Sequence, residues 1–449
     1  MTHDVVIVGG GIAGLTIAWE LARAGRDVVL VEASEDAGGM LRRGTAAGVE
    51  VDLGAESFAT RTTGVADLVA DARLAVQLVE PAPSGAHVAF RRRSGRVDRA
   101  PLPRRALVGM PADPTAADVV RIIGRAGARR AAQERHLPLP SGPEPTLAEL
   151  ATSRLGARVT ARLVEPLCRS VYSQSADSVR LSSVHPVLWE KTQVLGSLTA
   201  AVDALAPAVR TGSAVRGVEG GLWRLAAELE AAALRAGAVI RTGAPARTVT
   251  ATTVELDGET LAARAVVIAT GPTAAARLLQ VEAASAPPVG LVVVEVVADG
   301  FDSFPVGSGV IAAPDVDSAA KALTHVDAKW EWAAAALPAG THLVRLSARD
   351  GRHHELMDAA GAAAAIRTLT GVRLAPTDVR RVVPVAWPDA VATPGARATV
   401  TDAAATRGIR LAGAVAAGTG LASVIPHARA LACDLASPPI PSEGARHVR

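Results

Sequence analysis

An α/β fold is predicted for this chain of 449 residues by three observations. It opens on a β-branched apolar run that passes through glycines into a helix and then a second apolar run, the arrangement of a parallel βαβ unit. A helix-then-strand segment near residues 221–246 and a strand-then-turn segment at residues 265–272 extend the same pattern. The remainder divides into a helically patterned stretch, about residues 104–210, and a region from 284 to 406 in which β-rich runs surround one Ala-rich helix, so a mixed sheet is expected there.

Taken in order, Asp4-Val5-Val6-Ile7-Val8 reads as a buried strand that runs into Gly9-Gly10-Gly11-Ile12-Ala13-Gly14. This is G-x-G-x-x-G at a strand-to-helix junction: Gly9 permits the tight turn, Gly11 lets a pyrophosphate approach the backbone, and Gly14 lets the helix pack closely on the strand. The helix is expected from Leu15 to Arg23, with its free N–H groups and positive dipole end facing the phosphates. Gly25 ends it, Asp27 to Val31 forms the second strand, and Glu32 stands at that strand's end, where a carboxylate accepts ribose hydroxyls and disfavours a 2′-phosphate. Together these elements define a Rossmann-type dinucleotide-binding domain. Gly221 precedes a helix to Ala236, Gly237 ends it, and Val239 to Thr242 is a strand leading to Ala246. Residues 104–210 form a helical insertion punctuated by Pro-rich residues 137–143, and strands near 290–297, 342–347 and 380–386 roof a substrate cavity together with a helix near 356–369.

The phrases that follow the second strand narrow the cofactor. Glu32-Ala33-Ser34, Gly38-Gly39-Met40 and Val51-Asp52-Leu53-Gly54-Ala55-Glu56-Ser57-Phe58 resemble the flavin amine oxidase superfamily, and the last resembles the oxygen-dependent protoporphyrinogen/coproporphyrinogen oxidase family in particular. Val164-Glu165-Pro166-Leu167 through Val171-Tyr172, the pair Lys329-Trp330, and Leu411-Ala412-Gly413 through Gly418-Thr419-Gly420-Leu421 are similar to further segments of that family, in family order. The resemblance implies an extended, noncovalent FAD lined by Gly9, Gly11, Ile12, Ala13, Gly14, Glu32, Ala33, Gly39, Met40, Gly54, Ala55, Glu56, Ala246, Gly413, Gly420 and Val424, with Arg61 and Tyr172 toward the substrate. It implies a discontinuous FAD-binding domain (residues 1–80, 211–283 and 407–440), a mixed-sheet substrate domain (81–103 and 284–406) and the insertion at 104–210.

It further implies oxidation of a porphyrinogen by O2 with formation of H2O2, in haem biosynthesis, with ferrochelatase as a transient partner. The Ala- and Arg-rich usage, with lysine only at 191, 321 and 329, resembles high-GC bacterial coding and favours coproporphyrinogen III over protoporphyrinogen IX. Three positions depart from the family: Asp36 stands where an Arg is usual, Thr62 where a Lys is usual, and His427-Ala428 where Ser-Gly is usual. These departures motivate one other reading, a non-catalytic flavin-binding partner in the haem pathway; an amine-oxidase-like enzyme is the next enzymatic alternative, and Lys329-Trp330 and the phrase from Leu53 to Phe58 speak against it. A single tyrosine makes the paired-aromatic cage of the amine-oxidising relatives hard to build.

Composition excludes several classes. A net charge of +3 without interleaved aromatics argues against nucleic acid. The longest apolar stretches fall far below the roughly 20 residues of a membrane span, and the N-terminus begins a strand at once, so a cytoplasmic protein is expected, with peripheral membrane contact as an addition. That contact would use Val119, Val120, Ile122 and Ile123 beside Arg121, Arg125, Arg129 and Arg130; the plainer expectation is a helix with a solvated basic face. Cys168 and Cys433 read as small core residues. No metal is expected: His353-His354-Glu355 lacks H-E-x-x-H spacing. Arg91-Arg92-Arg93 and Arg96 flank a turn at Ser94-Gly95, either an exposed hairpin tip or an attractor of polycarboxylates. Arg61 is the better carboxylate ligand, with a local salt bridge as its alternative role.

Overall fold

A computed structural model describes residues 1–206 and 215–437. The expected junction at 210/211 and residues 438–440 lie outside the described residues. The continuous apolar run at the start of the chain is explained by burial on both faces. Val5 and Ile7 pack under the helices Ile12–Arg23, Trp223–Arg235 and Leu421–Ala436, while Val6 and Val8 join a second cluster with Ala275, Leu278, Val400 and Ala404.

The strand Thr2–Val8 is central in a parallel array. Val28–Val31 and then Val239–Arg241 lie on one side of it, Glu259–Ile268 and then Arg410–Leu411 on the other. The chain leaves Thr2–Val8 toward Val28–Val31 and returns on the opposite side as Glu259–Ile268. The topological switch point, where open α/β sheets bind ligands, therefore falls outside Val8 and Ile268. Glu259–Ile268 begins earlier than the apolar run from Ala265, because its first half pairs antiparallel with Thr253–Leu256.

A second sheet of seven strands has the order Val379–Trp387, Val289–Val297, Thr341–Ala348, Ala320–His325, Gly309–Ala312, Ala86–Arg91, Val97–Pro101. One of its pairings, Gly309–Ala312 with Ala86–Arg91, is parallel, so the sheet is mixed, as expected. Alternation assigns its faces: Val292, Val294 and Val296 pack on the helix Ala359–Thr370, whereas Val293 and Leu343 join Ala46, Val51 and Trp330 on the side toward the first sheet. The helix Pro394–Thr406 departs from its expected place in the roof. Its Val400 and Ala404 sit in the first sheet's core beside Val266 and Ile268, where the buried area is available. The Arg-rich turn is a hairpin tip, with Gly95 at φ +83° and Arg92 paired to Asp98.

The insertion is a mainly helical lobe that opens on a short antiparallel ladder, Ala106–Leu107 with Met110–Pro111. Gly124, at φ +71°, interrupts the helix Ala117–Ala132, and Val119, Ile122 and Ile123 are buried against Leu147, Leu150 and Leu155. The apolar stripe is thus consumed inside the fold, leaving a solvated basic face. A buried pair, Arg154 with Glu134, joins the lobe's helices; Glu134 also accepts from Ser197 Oγ at 2.6 Å and Leu198 N at 2.8 Å. Cys168 is buried in this lobe as expected, but Cys433 is exposed, because its position on Leu421–Ala436 lies away from the face that packs on Ile12–Arg23. No helix among the described residues is long and apolar enough to cross a membrane.

Candidate functional site

The glycine turn at the switch point is shaped by contacts that side chains would forbid. A Cβ on Gly14 would lie 2.0 Å from Gly9 O, and one on Gly9, at φ +113°, would lie 2.9 Å from the Ala269 backbone. A Cβ on Gly11 would meet nothing within 4 Å, so the backbone there faces open space at the start of Ile12–Arg23. A pyrophosphate fits that cradle, with the first-turn N–H groups of Ile12 and Ala13 as donors. Glu32 is fixed at the strand end: it accepts Gly10 N at 2.6 Å through Oε2 and Ser34 N at 2.9 Å through Oε1.

From the cradle a continuous thread of backbone bonds leads to the second sheet. Gly38 N donates to Gly10 O at 2.8 Å, Gly39 lies close against Gly11, and Ala55 N donates to Met40 O at 3.0 Å. A Cβ on Gly54 would lie 1.8 Å from that same Met40 oxygen. The second sheet grips the segment Leu53–Glu56 through Trp387 Nε1, which donates to Leu53 O at 3.1 Å, and Arg345, which donates to Gly54 O.

A cluster of charges closes this junction. Glu56 Oε1 lies 2.6 Å from Lys329 Nζ and Oε2 3.2 Å from Arg345 Nη1. Burial would raise the Glu56 carboxyl, but the two cations outweigh it and hold the carboxyl below its ordinary range. Asp52 behaves oppositely: burial pushes it up to about 6, against the N–H groups of Leu222 and Trp223, each 2.8 Å away.

Arg61 makes no ion pair among the described residues, which removes the local salt bridge as its role; Nη2 donates to Ser423 Oγ at 2.5 Å, and the side chain is exposed. Its positive charge makes the smallest contribution to the electrostatics of Tyr172 and of His185. Burial raises the Tyr172 hydroxyl and lowers His185, keeping both neutral near pH 7. Tyr172 ends the second of two π-helical turns, Thr160–Val164 and Cys168–Tyr172, a backbone irregularity frequent at functional sites. The only sequence hint of His185 was its place before Pro186, where its Nδ1 caps the helix by accepting Leu188 N at 3.1 Å.

Other expected residues are placed as follows. Ala33 and Met40 are exposed beside the cradle, Gly413 opens the turn next to Ala13 and Ala269, and Gly420, at φ +94°, precedes Leu421–Ala436 with open space beside it. Ala246 and Val424 are core residues, packed in the two clusters on either face of the first sheet. The departures have local consequences. Asp36 adds its negative charge to that of Glu230, whose carboxyl is raised by burial and by Asp36, so this rim is anionic. Thr62 Oγ1 donates to Ala422 O at 3.0 Å, and His427 is held neutral by burial, its Nδ1 without a hydrogen-bond partner among the described residues.

A glycine cradle at the switch point, a carboxylate at the end of the second strand and a second sheet that grips the Leu53–Glu56 segment are arranged as in an FAD-dependent oxidoreductase, and the family match shows that class. The chain belongs to the flavin containing amine oxidoreductase family, whose pattern matches residues 12–436. It is 31% identical over 362 residues to the coproporphyrinogen III oxidase of Mycobacterium leprae, covering 77% of each chain. It is 30% identical over 340 residues to that of Mycobacterium tuberculosis, covering 72% of this chain and 73% of the relative. A solved structure from Exiguobacterium sp. 255-15 superposes with a TM-score of 0.80 at 22% identity, over 97% of this chain and 99% of the other. Cyclohexylamine oxidase from Brevibacterium oxydans IH-35A superposes at 0.65 and 16% identity, over 97% and 99%.

Proposed function

We propose that this flavoenzyme oxidises coproporphyrinogen III to coproporphyrin III with O2 as acceptor and H2O2 as by-product, in haem biosynthesis. The carrying observation is Arg61, an exposed cation with no carboxylate partner among the described residues, tied to Ser423 beside the start of Leu421–Ala436. The curated relatives bearing that name support the same substrate class. Bound FAD supplies the redox chemistry, taking electrons from the porphyrinogen and passing them to O2. The cradle from Gly9 to Gly14 holds the pyrophosphate and Glu32 the ribose, while Gly39, Met40, Gly54 and Ala55 form the wall that Arg345 and Trp387 brace. Arg61 pairs with a peripheral propionate and so orients the macrocycle.

Within this reading, the first sheet with its helices, now including Pro394–Thr406, is the FAD-binding domain, the second sheet is the substrate domain, and residues 104–206 form the insertion. The protein is cytoplasmic, with product passing to ferrochelatase by transient contact. Any peripheral membrane contact uses a surface other than Val119, Ile122 and Ile123, which are buried.

The test is an assay in air on both porphyrinogens, following porphyrin fluorescence and H2O2 with protein of measured flavin content. Faster porphyrin formation from coproporphyrinogen III is expected. Faster turnover of protoporphyrinogen IX reverses the substrate assignment, and flavin-loaded protein that oxidises neither is the non-catalytic partner that Asp36, Thr62 and His427 would suit.

A further inference from the structure

We propose that His325, Asp327 and His342 form a binding site for a divalent transition-metal ion of the zinc type, separate from the flavin cradle and seated beneath the turn that carries Lys329. His325 ends the strand Ala320–His325, Asp327 lies in the following one-turn helix Val326–Lys329, and His342 comes from the neighbouring strand Thr341–Ala348. Because His325 pairs with Val344, His342 projects from the same sheet face one pleat away.

The donor atoms already have a metal's spacing. His342 Nδ1 lies 2.8 Å from Asp327 Oδ2, His325 Nε2 3.2 Å from the same oxygen, and the two nitrogens are 3.3 Å apart. Ligands about 2.0–2.1 Å from a tetrahedral centre stand roughly 3.3 Å from one another, and a point at that distance from all three atoms exists about 1 Å out of their plane. Two imidazoles and one carboxylate are a donor set suited to zinc.

Hydrogen bonding alone leaves the cluster incompletely satisfied. Both imidazoles of this buried cluster address a single carboxylate oxygen, Asp327 Oδ2. One cation facing three lone pairs satisfies the converging atoms together, which is how buried charge of this kind is commonly held. The surroundings resemble the outer shell of a metal site. Asp302 Oδ1 sits 3.1 Å from His342 Nε2, Leu343 N donates to Asp327 Oδ1 at 2.9 Å, and the rings of Phe301 and Phe304 pack 5.3 and 5.1 Å from that of His325. Asp302, 62% exposed, marks an entry path from solvent.

The experiment uses the FAD-loaded protein, stripped with a chelator and titrated calorimetrically with Zn2+ alone. One ion per chain is expected, with X-ray absorption at the zinc edge showing two imidazole ligands, and with zinc raising the Tm. His325→Gln and His342→Gln should abolish this binding while retaining flavin, and Asp302→Asn, which removes a supporting group and no ligand, should weaken it about 10- to 100-fold. Absence of stoichiometric binding, or binding that survives both histidine variants because surface histidines supply it, overturns the proposal. Should those variants fail to fold, Asp302→Asn decides, since an unchanged zinc affinity there has the same consequence.

Discussion

At Gly11 the side chain that is absent matters more than any that is present. The position has φ −70° and ψ 176°, which any residue adopts, and a Cβ there would touch nothing within 4 Å. Gly11→Val should therefore fold normally yet block the pyrophosphate, and purified variant should lose most of its flavin absorbance while keeping its far-UV circular dichroism. Full FAD occupancy would remove the pyrophosphate from this turn. Gly14 has the opposite character, since its Cβ would collide with Gly9 O and displace the helix itself.

Arg61 can be tested by kinetics at the same scale. If its guanidinium pairs with a propionate, Arg61→Ala forfeits a charge-assisted bond worth about 1.5–3 kcal/mol, raising KM roughly ten- to a hundredfold with a smaller change in kcat. The propionates lie at the ring's edge and are bound alike in ground and transition states, which is why the loss appears in KM. An unchanged KM on both porphyrinogens at matched FAD content would leave Arg61 as a tether to Ser423.

The helix Trp223–Arg235 has a pH-sensitive start. Asp52, from another segment, accepts the N–H groups of Leu222 and Trp223, and burial lifts its carboxyl from 3.8 to about 6. A carboxyl raised on folding binds its proton more tightly in the native state. Its contribution is thus full below the unfolded value and is lost as pH rises through about 6. The shift corresponds to about 3 kcal/mol. Asp52→Asn should flatten the dependence of unfolding free energy on pH between roughly 4 and 6 relative to wild type, in denaturant titrations at several pH values. Parallel curves for the two proteins would show that Asp52 does not titrate there.

Across the whole molecule, Glu56 ties the two sheets together by facing Lys329 and Arg345, both from the second-sheet side. Two cations share one carboxylate, so the substitutions are unequal. Lys329→Met leaves Glu56 paired with Arg345, whereas Glu56→Gln leaves both cations half-buried and unneutralised. Loss of one partner from a buried pair costs about 3–5 kcal/mol, and Glu56→Gln is expected near that range with Lys329→Met well below it. Equal losses in thermal or denaturant unfolding would show that the cluster is solvated and weak.

The fold was legible in proportion to how local its signals are. The cradle, Glu32 and the strand at Val239 were readable because glycine at a tight turn and a β-branched run between helices are imposed by neighbours in sequence, whereas the Gly413–Gly420 segment was legible only through its resemblance to the family. The packing of Pro394–Thr406 was not readable, since an Ala-rich helix suits either sheet and only the available buried surface chooses. Nor was the use of the Val119–Ile123 stripe: amphipathicity requires an apolar partner, and here the lobe's own helices provide it.

By itself, then, the sequence determined the nucleotide-binding unit and the flavin family, both carried by short local runs of residues, whereas the parallel pairing of Gly309–Ala312 with Ala86–Arg91 that makes the second sheet mixed joins distant segments. Only the tertiary structure decided that Arg61 has no carboxylate partner among the described residues and is tied to Ser423, and that Glu56 is paired twice. It also brought His342 onto the His-x-Asp pair at 325–327, from a strand fifteen residues further along the chain. The physical reason is common to all three. Charge pairing and ligand geometry depend on distances between chain segments, and those are set by how two sheets and a helical lobe bury their apolar faces, which no local pattern encodes.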